Sequence, residues 1–70
     1  MKYYIYYNYA KVAMYYLGGF TSSRQHAIKF DSIAEAKKQI KQIKTSRVLH
    51  IEDENGQKID FLSEKNSYGK

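Results

Sequence analysis

The chain contains no cysteine. No disulfide braces it, and every CxxC-type metal signal is missing with it. A cysteine-free chain suits a reducing cytoplasm, which is where we expect it to act. No stretch approaches the roughly 18 apolar residues of a membrane span, so a membrane partner is not expected. The start, MKYYIYYNY, lacks the apolar core and small-residue cleavage site of a signal peptide and reads as mature sequence. Acidic residues are missing from the first thirty positions, where Lys2, Lys11, Arg24 and Lys29 carry all the charge.

Recognisable chemistry is scarce as well. Gly18-Gly19 lacks the spacing and the following Lys-Ser/Thr of a phosphate-binding loop. Glu52-Asp53-Glu54 lacks the spacing of a calcium loop. His26 and His50, without cysteine or paired acids at ligand spacing, make a poor metal site. His50 stands two residues before Glu52 on one strand face, and a partly buried strand histidine accounts for it better than a ligand does. We therefore expect no enzyme, no cofactor and no metal.

What is present is basic charge, tyrosine and one helix. The chain of 70 residues carries +5, distributed as +4 over residues 1–30, +3 over 31–50 and −2 over 51–70. A basic front and an acidic end point to an anionic partner or an acidic protein surface. Seven of the eight tyrosines precede Leu17. The length allows one small domain with a thin core. We expect it to span residues 1–62, with a polar, frayed tail at 63–70.

The helix is expected over residues 31–44. Ser32 and Glu35 form a capping box, and Ile33, Ala36, Ile40 and Ile43 draw one apolar stripe. Lys37, Lys41 and Lys44 line one flank of that stripe, Lys38 lies behind them, and Glu35, Gln39 and Gln42 take the other flank. The lysines read as an ordinary solvated face or as a contact for phosphate or acidic side chains. Lys37 and Lys41, at i,i+4, cost a few tenths of a kcal/mol in repulsion.

Strands are expected on both sides of the helix. Tyr3 to Tyr7 and Val12 to Leu17 form a hairpin around an Asn8–Lys11 turn, with Tyr7 opposite Val12. Tyr3, Ile5, Tyr7, Val12, Met14 and Tyr16 then share the core face, and Tyr4, Tyr6 and Tyr15 point outward. Phe20 to Ser23 reads as loop, and Gln25 to Phe30 as a third strand. Arg47 to Glu52 and Lys58 to Leu62 complete the set. A three-residue loop Glu54-Asn55-Gly56 places Ile51 opposite Ile59 and Leu49 opposite Phe61, so the apolar faces coincide. The fold expected is α+β, order βββαββ: one antiparallel sheet of about five strands with one helix packed on one face. Tyrosines on the other face would be structural packing, an interface core, or platforms for stacking bases.

Asp31-Ser32-Ile33-x-x-Ala36-Lys37-Lys38, Val48-Leu49-His50-Ile51-Glu52-x-x-Asn55-Gly56 and the opening Tyr3-Tyr4-Ile5 together resemble small phage-encoded anti-CRISPR proteins that inhibit type I-F surveillance complexes. That resemblance implies a non-enzymatic inhibitor in the bacterial host cytoplasm that binds the guide-RNA complex and blocks target DNA. Tyr4, Tyr6, Tyr15, Lys37, Lys38, Lys41 and Lys44 are then the expected partner-binding residues. Two other readings stay open: a basic nucleic-acid binder using exposed Tyr and Lys, and a phage accessory protein that dimerises through its open sheet face.

Overall fold

Seven residues, all aromatic or β-branched except Asn8, make Tyr3–Tyr9 a strong strand, β1, and the fold places it at the centre of the sheet. The computed structural model describes residues 1–59. After β1 come β2 (Val12–Tyr16), β3 (Phe20–Thr21), a single 3₁₀ turn (Arg24–His26), the helix α1 (Ile33–Gln42), β4 (His50–Asp53) and β5 (Lys58–Ile59). The five strands form one antiparallel sheet in the order β3-β2-β1-β4-β5, with α1 on one face. This is the α+β architecture expected from the sequence.

The core sits where β1, β4 and α1 meet. Ile5 pairs with Ile51 across the strands, and both are fully buried. Ala36 is also fully buried, and its small side chain lets α1 approach the sheet closely. Leu49 joins them, with Tyr3, Tyr7, Tyr16, Phe20, Phe30, Ile33, Ile40, Ile43 and Ile59 packed around. Fully burying one such aliphatic side chain is worth about 1.5–3 kcal/mol.

Local signals set the helix ends. The Ser32 hydroxyl accepts the Glu35 N–H at 3.1 Å, and the Glu35 carboxylate reaches back to the Asp31 N–H at 3.4 Å. The helix is shorter than the expected 31–44, because Ile43 turns to extended backbone as the C-cap while still packing on the core. Gly56 has φ +84° and its N–H bonds the Asp53 carbonyl, closing the three-residue loop; Ile51 stands opposite Ile59 as expected. The Asp53 carboxylate accepts the Asn55 and Gln57 N–H groups, each at 2.9 Å, and fixes that loop further. The expected pairing of Leu49 with Phe61, the end of the fifth strand and the 63–70 tail lie outside the described residues.

Three expectations need correction. The first hairpin turns on Ala10-Lys11 alone, with Tyr9 opposite Val12 and Tyr7 opposite Met14. Both turn residues have positive φ, +51° and +70°, the signature of a type I′ turn made without its usual Asn or Gly. The register differs from the expected one by two residues, which leaves every side chain on its expected face. Gln25–Phe30 is not a strand. Gly18-Gly19 lets the chain double back at once, so Phe20 and Thr21 take the edge of β2 through a short loop of low closure cost. The following residues form the 3₁₀ turn, and only Phe30 bridges to Tyr3, with bonds of 2.9 and 2.8 Å. Finally, β4 begins at His50 and not at Arg47, because residues 47–48 are still crossing from the helix layer to the sheet.

The two turns carry strain of opposite consequence. A Cβ at Gly56 meets nothing within 4 Å, so Gly56→Ala suffers only the left-handed backbone penalty and should lose about 1 kcal/mol. Lys11→Gly relieves the same penalty and should gain about 1 kcal/mol. Urea midpoints that shift in opposite directions at unchanged slope check both.

Candidate functional site

The strand alternation places Tyr4, Tyr6, Tyr15, His50 and Glu52 on the sheet face opposite α1. The expected outward direction of the tyrosines is therefore present, but their exposure is not. Tyr4 and Tyr6 are buried, at 7% and 8% exposure, and Tyr15 is half-buried. They cover one another: the Tyr15 ring lies 6.1 Å from Tyr4 and 5.7 Å from Tyr6, and Tyr6 lies 5.2 Å from the His50 ring. Arg24 supplies the rest. Its guanidinium sits 4.5 Å over the Tyr4 ring, pairs with the Glu52 carboxylate at 3.1 Å and donates to the Asp53 carbonyl at 2.8 Å. Glu52 is itself buried and also accepts the Tyr15 hydroxyl at 2.8 Å.

This layer is a closed polar network, not an open aromatic patch. Burial first, and then the hydrogen bond to Glu52, push the Tyr15 phenol up to about 12. Burial followed by the same carboxylate raises Tyr6. Burial and the positive charge of Lys58 lower His50 below the usual imidazole range.

The exposed acids Asp31, Glu35 and Glu54 gather at one end of the molecule, where Lys2, Lys29 and Lys58 are exposed with them, and among the described residues the other end carries exposed cations alone. Lys2 anchors the acidic pole: its ammonium pairs with Asp31, its backbone N–H donates to Glu54 at 2.7 Å, and Glu35 lies close enough to add to its field. The hydrogen bond and charge of Asp31 raise Lys2, and the same contact lowers Asp31. Because α1 starts just after Phe30, which is bonded to Tyr3, its N-terminus belongs to this pole. Its C-terminus leads to Arg47, whose guanidinium lies 4.7 Å over Tyr7 and 5.2 Å over Tyr9. Lys41, Lys44, Arg47 and the hairpin tip at Lys11 are all exposed and form the basic pole, and Lys38 is exposed on the back of α1. Lys37 is half-buried. Acids at the helix start and lysines at its end also match the helix dipole, so part of this polarity is structural.

At the basic pole the sheet edge has a notch of about 480 Å³, lined by Tyr7, Asn8, Ser46, Arg47, Val48 and His50. It exists because β4 starts late. Hydrogen-bonding direction alternates along a strand. Tyr3 bonds Phe30 on the β2 side, so even-numbered residues of β1 direct N–H and C=O toward β4. Tyr4 meets Glu52 there and Tyr6 meets His50, but Asn8, paired with Ala13 of β2, has no partner in β4. The Arg47 guanidinium donates no hydrogen bond to a described residue, and the buried His50 Nδ1 is likewise unpartnered among them.

Sequence reasoning found the helix lysines but not Arg24, Arg47 or the Asn8 edge. An arginine in a loop carries no local sign of the ring it will cover. Among the described residues no group of three His, Asp or Glu side chains could hold a metal, and no helix is long and apolar enough to cross a membrane. No protein-family profile, characterised protein or solved structure matches the chain.

The Tyr15 shift has a direct readout. A phenol whose folded pKa exceeds its unfolded value contributes stability that is complete below pH 10 and lost as pH rises toward about 12. Ultraviolet titration should show a late tyrosinate phase near pH 12 that Tyr15→Phe removes, and Glu52→Gln should move that phase to lower pH.

Proposed function

We propose that this protein is a non-catalytic inhibitor of a host defence complex, anti-CRISPR-like, that binds a guide-RNA surveillance complex in the bacterial cytoplasm and blocks target DNA. The observation that carries the proposal is the gathering of exposed cations, with no exposed acid beside them among the described residues, at one end of a small sheet. Lys38 and Lys41 stand exposed along α1, and Lys44, Arg47 and Lys11 continue the exposed positive surface beyond its C-terminal end. Lys41 stands at i,i+4 from Lys37, a small repulsive cost that an anionic partner would reverse. The segment resemblance around the capping box and the Asn55-Gly56 turn supports the same class.

In this reading the tyrosine layer is scaffold. Tyr4, Tyr6 and Tyr15 hold the sheet rigid against Arg24 and Glu52, and the contact falls to the basic pole. Exposed lysines then steer encounter and set salt sensitivity more than residence time. An open-face dimer finds less support, because Arg24 and the tyrosines themselves already cover the centre of that face.

The test is titration of a purified type I-F surveillance complex carrying its guide RNA, with a labelled target duplex in a gel-shift assay. The wild type should reach a stoichiometric end point. A folded Lys38→Glu, Lys41→Glu, Lys44→Glu variant should need about tenfold more protein or worse, and added salt should weaken the wild type. Complete inhibition at strongly sub-stoichiometric protein would instead indicate turnover. Unchanged inhibition by the triple variant would move the contact away from this pole.

A further inference from the structure

We infer that the notch at the basic pole is a binding site for single-stranded nucleic acid, with Arg47 taking a phosphate, Tyr9 stacking a base and the Asn8 edge bonding to a base edge. The inference rests on the reading of the basic pole as the contact surface and names the partner chemistry there: an exposed strand, rather than an acidic protein face.

Each part of the notch has a matching part in a nucleotide. The Arg47 guanidinium sits over Tyr7 and Tyr9, 4.7 and 5.2 Å from their ring centres, and its N–H groups remain for a ligand. A fork of N–H donors held in this way matches a phosphate, and prior ordering on the rings lowers the entropic cost of using it. Tyr9 is 57% exposed although it belongs to the central strand, and Val48 beside the notch is 61% exposed. An exposed phenol ring next to a cation suits stacking of a base, which tolerates any sequence. The Asn8 N–H and C=O, together with the Asn8 amide and the Ser46 hydroxyl, offer donors and acceptors at the floor and wall. Nucleobase edges present the same alternation of donor and acceptor.

Two alternatives fit less well. An added peptide strand needs a row of free backbone groups, whereas β1 offers only Asn8 on this edge before the strand ends at Tyr9. Duplex DNA presents its bases inside the stack, where Tyr9 could not reach a base face. The notch is also open at the sheet edge, so a strand can lie across it without threading. Lys11 and Lys44 are exposed and lie two and three residues along the chain from Tyr9 and Arg47, where they would meet neighbouring phosphates.

The experiment measures anisotropy of labelled twelve-residue oligo-dT and oligo-rU, a hairpin duplex of equal length, and a labelled poly-glutamate of equal charge. Both single strands should bind more tightly than the duplex and the polyacid, and the better of the two identifies the sugar preferred. Arg47→Ala and Tyr9→Ala should each weaken strand binding about tenfold or more. Arg47→Ala should also reduce the slope of log affinity against log salt by about 0.7, the value for one phosphate on a single strand. Arg47→Lys keeps the charge but loses the fork of donors, and should rescue the slope more than the affinity. Lys29→Ala, beside Tyr4 and Arg24 on the other face, should change little. Far-ultraviolet circular dichroism confirms that each variant is folded. Poly-glutamate binding as tightly as the strands would overturn the inference in favour of an acidic protein partner. No strand binding, or strand binding indifferent to both Arg47→Ala and Tyr9→Ala, would overturn it as well. Failure of the strand assay with intact stoichiometric inhibition removes this inference alone, whereas strand binding without inhibition removes the proposed function alone.

Discussion

The contact of Ile5 with Ile51 beneath Ala36 is the one on which the remaining structure depends. All three are fully buried, and they join the central strand, its neighbour and the helix at one point. In a chain of this length few residues can be buried completely, so each carries a large share of a small margin. The alanine matters as much as the isoleucines. A larger side chain at position 36 would lift α1 off the sheet and loosen the contacts of Ile33, Ile40 and Ile43 together.

The opposite face shows how a thin domain can use tyrosine. Aliphatic side chains there would form a second apolar surface with no second helix to cover it. Tyr4, Tyr6 and Tyr15 bring large ring areas that pack edge to face and at a tilt, while the Tyr15 hydroxyl finds a partner in Glu52. Glu52 in turn is tolerable in a buried site because Arg24 reaches it from the 3₁₀ turn. An ion pair of this kind adds little net stability over an apolar replacement, but it specifies which loop covers which strand. The segment 22–29 is thus held by an arginine that meets a ring, a carboxylate and a carbonyl, and by the Ile28 N–H on the Tyr16 carbonyl at 3.0 Å.

The sequence disclosed those features whose cause is local. The capping box and the 3-4-3 spacing of Ile33, Ala36, Ile40 and Ile43 marked the helix because cap and stripe act within a few turns. The Glu54-Asn55-Gly56 register was legible because only one loop length aligns two apolar faces. The first hairpin kept its faces but not its loop, since a two-residue shift preserves parity and Ala10-Lys11 carries none of the residues that announce a type I′ turn. The third strand was misplaced because alternation over Gln25–Phe30 competes with an earlier pairing that Gly18-Gly19 makes cheap to close. The burial of the tyrosines followed from that error. Arg24 reaches Tyr4 only because residues 24–26 form a turn and not the lead-in to a strand. Arg47 over Tyr7 and Tyr9 is a long-range contact with no local signature at all.

Departures from local preference are not spread evenly over the molecule. At the acidic pole the choices agree with their surroundings: Ser32 caps, Glu35 meets the helix dipole, Lys2 pairs with Asp31, and Gly56 occupies the left-handed position. At the basic pole they do not. Two non-glycine residues hold positive φ, lysines stand at repelling spacings, Asn8 keeps an unpaired edge in the central strand, and Tyr9 and Val48 face solvent. Each departure costs a little stability, which for the lysines the helix dipole offsets only in part. Local conflict gathered at one end of an otherwise consistent structure is the pattern expected where a surface is shaped by what it binds. The folded core and the acidic pole hold that surface in place, and an anionic partner at the basic pole would neutralise the lysines and occupy the open edge at once.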